Sequence, residues 1–181
     1  VDLCKGKIAP LTGKQVNVVA AGGIYDGRGL AMALSFGAEA AWVGTRFVAT
    51  TEAGAPKRHK NGVVTCGYDD TIRTLIYTGR PMRVKKTPYI MNWEENRADE
   101  IKALTAKGIR PVEDDMKRAF KENRQISIKE RMEAMPMLMG QVAASIDSVV
   151  PAAEVIDEMM TTCIATLRRL NGQINILRSK L

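Results

Sequence analysis

An α/β fold is the class this sequence predicts: one parallel strand-helix-strand unit leading into a mostly helical remainder. Three observations carry the prediction. Two short apolar, β-branched runs each end in glycine, Val16 to Ala20 before Gly22-Gly23 and Ala40 to Val43 before Gly44. A helical apolar period lies between them, at Leu30, Ala31, Leu34 and Ala38. After Asn92 the pattern becomes helical and stays so to the end of the 181 residues. Strand, glycine turn, helix, strand, glycine turn is one parallel βαβ unit.

Each element has its local reason. The two apolar runs read as buried strands. Asp26 stands as N-cap of a helix over Gly27 to Ser35, and Gly37 is placed to end it. Residues 51 to 68 are polar, with Gly and Pro, and read as a loop. Thr71 to Tyr77 and Met82 to Val84 flank Thr78-Gly79-Arg80-Pro81, a turn suited to joining two short strands. Helices follow over Glu94 to Lys107, stopped by Gly108; over Val112 to Asn123, after Pro111; and over Ile128 to Ala134, before a run containing Met135, Met137 and Met139. The last helix starts at Pro151, with Ala152, Ile156, Met159, Cys163, Leu167 and Leu170 as its apolar stripe. Its acids, Glu154, Asp157 and Glu158, precede its bases, Arg168 and Arg169, as the helix dipole favours. Composition divides the chain into residues 1–50, 51–145 and 146–181.

Composition excludes several classes. The chain is 45% hydrophobic, and its cysteines, Cys4, Cys66 and Cys163, are odd in number and far apart, so neither a disulfide framework nor a metal site is expected. No apolar run is long enough to span a bilayer, and no secretory leader opens the sequence. The net charge is +7. Residues 1–50 hold five basic and three acidic side chains, residues 51–92 eight and three, and the remainder fourteen of each. Stacking aromatics are not interleaved with the dense group from Lys57 to Lys86, so a solvated face, or a surface attracting an anionic ligand, is expected over a nucleic-acid interface.

The glycine pairs carry the chemistry. Ligands gather outside the carboxyl ends of parallel strands. Gly22, Gly23, Gly44 and Thr45 occupy that position on consecutive strands, where glycine lets backbone N–H groups approach an anion and the Thr45 hydroxyl adds a donor. Gly23 lies just before a helix N-terminus, which favours a phosphate. Arg46 is a candidate for neutralising that phosphate or for a surface ion pair. His59, alone among cations, reads as an exposed surface residue.

Val18-Val19-Ala20-Ala21-Gly22-Gly23-Ile24, Asp26-Gly27-Arg28-Gly29, Leu34 with Gly37-Ala38, and Val43-Gly44-Thr45-Arg46-Phe47 resemble the phosphate-binding half of the nitronate monooxygenase family, formerly the 2-nitropropane dioxygenases. Gly79-Arg80-Pro81, Pro88-Tyr89, Gly140-Gln141 and Pro151-Ala152-Ala153-Glu154 are similar to its carboxyl-terminal portion. The resemblance implies an FMN-binding (β/α)8 TIM barrel with a helical substrate-side region. It implies oxidation of nitronates by O2 to a carbonyl compound and nitrite, with the flavin carrying the electron chemistry. The family's FMN-phosphate positions fall on Gly22, Gly23, Gly44 and Thr45, with Ala21 as a backbone contact. The family's catalytic histidine lies on earlier strands and His59 does not match it, so no catalytic residue is assigned.

A complete barrel needs roughly 250 residues. The chain, beginning at Val1, is therefore expected to be the last two strand-helix units of a barrel and its carboxyl-terminal helices, with hydrophobic edges that favour self-association. An enoyl-acyl-carrier reductase-like FMN barrel and a non-enzymatic basic binding protein are the alternative readings. The four Met residues from 132 to 139 are open to core packing or to a flavin-facing surface. Finally, Ser179-Lys180-Leu181 matches the address read by the peroxisomal import receptor, so a peroxisomal location is expected, with the cytoplasm as the alternative.

Overall fold

In the computed structural model, strand β1 (Val19–Ala21) pairs in parallel with β2 (Ala40–Trp42), with Val19 opposite Ala40 and Ala21 opposite Trp42. Helix α1 (Gly27–Ser35) connects them. Residues 1–178 are described, so the expected targeting tripeptide Ser179, Lys180 and Leu181 lies outside them. The helix starts where expected because the Asp26 carboxylate accepts from Gly29 N at 2.8 Å, and it ends at Gly37, whose φ of 87° glycine adopts at low cost.

The described residues pack as two compact units, residues 1–64 with 145 onward and residues 65–144. Composition changes near residues 50 and 145, whereas packing carries residues 51–64 and the last helix to the βαβ unit. In this first unit the central residues Ala20 and Ala41 join Ile24, Ala33, Val155 and Met159 in a core. The strands are not buried on both faces as their apolar runs suggest: Val19, Ala21, Ala40 and Trp42 are exposed, Trp42 to 74%. A parallel pair is covered on both faces only where layers lie on both, and α1 and the last helix supply one.

Two short helices follow β2: α2 (Thr45–Val48) and α3 (Lys57–Val64). The loop expected over residues 51 to 68 is thus partly helical. Lys57 to Gly62 carries no apolar period; Pro56 O accepts from His59 N and Lys60 N, and Val63 is fully buried. His59 accordingly is half-buried on this helix instead of freely exposed.

The second unit holds an antiparallel hairpin of β3 (Thr71–Thr74) and β4 (Met82–Lys85). Residues 137–139 add a further rung, with Lys85 N donating to Met137 O and Met139 N to Arg83 O. Met137 and Met139 are accordingly buried, while Met132 and Met135 are exposed. Four helices complete the unit: α4 (Pro88–Asn96), α5 (Ala98–Ala106), α6 (Pro111–Lys121) and α7 (Ile128–Ala134). Thr87 caps α4, accepting from Ile90 N, and donates to Glu133 O of α7. The single helix expected over Glu94 to Lys107 is broken at Arg97. The Arg97 guanidinium stacks 3.3 Å over the Trp93 ring, takes both Glu100 carboxylate oxygens and reaches Asp115 of α6. The buried Tyr89 hydroxyl donates to the other Asp115 oxygen at 2.9 Å. Trp93, Ile90, Ile76 and Val84, each fully buried, form the core beneath this cluster.

Helix α8 (Ala152–Arg178) returns to the first unit. Its buried stripe is Val155, Met159 and Cys163, and the expected members Ile156, Leu167 and Leu170 are exposed. The seam is narrow because the partner is one helix meeting it backbone to backbone. A Cβ at Gly27 would lie 2.6 Å from both Cys163 N and Thr162 Cβ, and against Met159 O as well.

Glycine to alanine within a helix ordinarily stabilises by roughly 0.5–1 kcal/mol. Gly27→Ala is expected to do the opposite, lowering the free energy of unfolding by about 2 kcal/mol through overpacking. Gly172→Ala, in the open second half of α8 with nothing within 4 Å, serves as the opposite-sign control in urea melts.

A second outcome concerns pH. Hydrogen bonds from Arg97, then from Arg118, hold the Glu100 carboxyl at about 2, below its ordinary 4.5. A depressed folded value contributes stability that is full above the unfolded value and lost as pH falls through the folded one. Thermal unfolding of the wild type is expected to weaken between about pH 4.5 and 2, and Glu100→Gln to flatten that dependence.

Candidate functional site

The parallel register sets the site. Ala21 and Trp42 form the last pair, so Gly22-Gly23 and Gly44-Thr45 leave the same end of the sheet from neighbouring strands. Strands lie about 4.8 Å apart, which makes these loops immediate neighbours. Gly22 and Gly23 take consecutive left-handed conformations, with φ of 96° and 74°, and open space lies where a Cβ would stand on either. Ala21, Gly22, Gly23 and Gly44 are exposed, and Thr45 is half-buried as the first residue of α2. All five residues expected at the anion site are thus brought together. At Gly22, Gly23 and Gly44 no atom of a non-neighbouring described residue lies within 4 Å of where a Cβ would stand, the open backbone that close approach of a phosphate requires.

Beyond the loops, a cleft of about 350 Å³ is lined by Tyr25, Asp26, Arg28, Arg46, Glu154 and Glu158, among others. Arg28 is engaged with Asp26, Nε to Oδ2 at 2.9 Å. Among the described residues Arg46 makes no ion pair. Its Nη1 donates to two carbonyls, Ala49 O at 3.2 Å and Ser148 O at 3.0 Å. The Glu52 carboxylate accepts from Ala152 N at 2.9 Å and from the Thr51 hydroxyl at 2.8 Å. Those bonds, the Ala152 amide foremost, hold its carboxyl below the usual range. Neither partnership has a sequence signal, because the partners stand about a hundred positions apart.

His59 sits on α3, away from the glycine loops along the chain, and its backbone is committed to Pro56. Cys66 and Cys163 are buried, Cys4 half-buried, and all three are free. Burial pushes the Cys66 thiol up, so it is a poor nucleophile. Among the described residues no cluster could hold a metal ion, and no helix is long and apolar enough to cross a membrane.

Comparison with known proteins gives a consistent set. The monooxygenase Rv1533 of Mycobacterium tuberculosis is 32% identical over 157 residues, 87% of this chain and 41% of that protein. FabK from Thermotoga maritima superposes with a TM-score of 0.65 at 30% identity, covering 89% of this chain and 48% of that one. A nitroalkane oxidase from Streptomyces ansochromogenes gives 0.62 at 27%, covering 87% and 42%. The chain thus spans less than half the length of each. The nitronate monooxygenase family model matches residues 8–162, which include β1, α1, β2, both glycine loops and the first part of α8; the chain belongs to the nitronate monooxygenase family.

Proposed function

We propose that this chain is the carboxyl-terminal part of an FMN-binding (β/α)8 barrel that oxidises nitronates with O2 to a carbonyl compound and nitrite. The observation that carries the proposal is the pair of glycine loops at one end of a parallel strand pair, in the register described. Ala21, Gly22, Gly23, Gly44 and Thr45 would hold the FMN phosphate through backbone amides and the Thr45 hydroxyl. When bound, the flavin supplies the electron transfer between nitronate and O2. The surplus positive charge of residues 1–92 attracts both the phosphate and the anionic substrate. The family's catalytic histidine has no match in this chain, so no catalytic residue is assigned here. The exposed Val19, Trp42, Ile156 and Met160 side chains favour self-association of the chain in isolation.

The likeness to two differently named structures, FabK and nitroalkane oxidase, keeps a second reading in view. It is an FMN barrel acting on an enoyl-acyl-carrier thioester, and consumption of reduced nicotinamide with such a thioester would favour it.

Flavin-fluorescence titration of this chain is expected to give weak FMN binding that still exceeds riboflavin binding. Gly23→Val is expected to remove the preference, since a β-branched residue is strained at a φ of 74°. Equal binding of both flavins by the unaltered chain, or nitronate turnover by it alone, would contradict this assignment.

For the terminal tripeptide we propose the peroxisomal address. A fluorescent protein carrying residues 172–181 at its carboxyl end is expected in peroxisomes, and the same fusion lacking Leu181 in the cytosol.

A further inference from the structure

The segment that follows the second glycine loop is stitched to the segment that enters α8. Arg46 Nη1 donates to Ser148 O at 3.0 Å, Thr51 N donates to Val150 O at 3.1 Å, and Ala152 N donates to Glu52 Oε2 at 2.9 Å. Thr50 and Val150 form a parallel bridge at the centre of the three, and Thr50 is 2% exposed. Pro151 has no N–H, so Ala152 presents the first free amide of α8, and the Glu52 carboxylate meets it. Arg46 begins two residues after Gly44, and it also holds Ala49 O at 3.2 Å, closing the turn of α2 on itself. The Gly44-Thr45 loop is therefore anchored on its downstream side by two charged side chains, each committed to backbone groups.

We propose that Arg46 and Glu52 are positioning residues for the phosphate loop. By clamping residues 46–52 to residues 148–152, they fix the direction in which the Gly44 and Thr45 amides and the Thr45 hydroxyl are presented. This rests on the phosphate reading of the glycine loops and adds to it the role of two residues that do not touch the ligand. Both side chains reach backbone groups, so the clamp depends on their hydrogen-bonding shape. Arg46 spans two carbonyls with one guanidinium, which a lysine ammonium on a different stem does not reproduce. Glu52 offers an acceptor, which glutamine retains and alanine lacks.

The test compares dissociation constants for FMN and riboflavin on the full 181-residue chain by flavin-fluorescence quenching, with thermal unfolding recorded alongside. The two ligands differ by the phosphate, so their ratio reads the phosphate loop, whereas general loosening of the unit weakens both. Arg46→Met and Glu52→Ala are each expected to reduce the FMN preference about fivefold to tenfold, in line with loss of one ordinary hydrogen bond to the phosphate, and to leave riboflavin affinity nearly constant. Glu52→Gln is expected to retain the preference, and Arg46→Lys to recover only part of it. If Arg46→Met unfolds the chain, the Glu52→Ala and Glu52→Gln pair decides the matter. A wild-type preference that survives Arg46→Met or Glu52→Ala would overturn the positioning role and leave the phosphate loops standing. Absence of any preference in the unaltered chain would overturn the phosphate reading and the positioning role with it.

Discussion

The backbone-to-backbone contact at Gly27 is the constraint on which the first unit depends. Helix α1 can lie against α8 only where no side chain separates them, since a Cβ at that position would enter the space of the Met159 carbonyl, the Cys163 amide and Thr162. That approach brings Val155 and Met159 over Ala33 and Ile24 and roofs one face of the β1–β2 pair. It also fixes where α8 begins, and so where residues 148–152 meet the segment after β2. The long excursion between the segment after β2 and α8 is closed by this crossing together with the bonds that join residues 46–52 to 148–152, so the loop-closure entropy is offset by a small, dense interface.

Each unit coheres through different physics. In the first, small residues dominate: Ala20, Ala33, Ala38 and Ala41 let strands and helices approach closely. In the second, the cluster of Trp93, Arg97, Glu100, Asp115 and Arg118 joins α4, α5 and α6 above an aliphatic core. Burial also pushes the Tyr89 hydroxyl proton up in pKa, which keeps it a donor to Asp115. A guanidinium with planar, forked donors suits this junction because it can pair with two carboxylates and stack on a ring at once.

At the site, the division of labour follows from dielectric and access. The groups proposed to face the ligand are backbone amides on exposed glycines, which offer partial positive charge without side-chain entropy. Arg46 and Glu52, proposed to hold the loop, are committed to carbonyls and an amide. In that reading the loop keeps its shape through bonds distant in sequence, while Gly22 and Gly23 supply left-handed conformations that other residues seldom adopt cheaply.

The residues that speak through local chemistry were legible from the sequence alone. Asp26 as a cap, Gly37 as a stop, and the glycine pairs after two strands all act on neighbours within a few positions, so their spacing carries the information, whereas the expectation of a helix only from Glu94 misses the start of α4 at Pro88, capped by Thr87. The βαβ unit, the hairpin, the family membership and the candidate site follow from those signals. What only the tertiary structure decided involves partners far apart. Helix α3 has a polar sequence and a buried Val63, helix α5 separates from α4 where Arg97 turns to Asp115, and of the stripe expected on α8 Met159 and Cys163 stay buried, joined by Val155, while Ile156, Leu167 and Leu170 are left exposed because Gly27 sets the angle of approach. Arg46 and Glu52 belong to the same class. Their meaning resides in carbonyl and amide groups about a hundred residues away, and backbone groups are identical at every position of a sequence, so no local pattern can announce which of them a side chain will find.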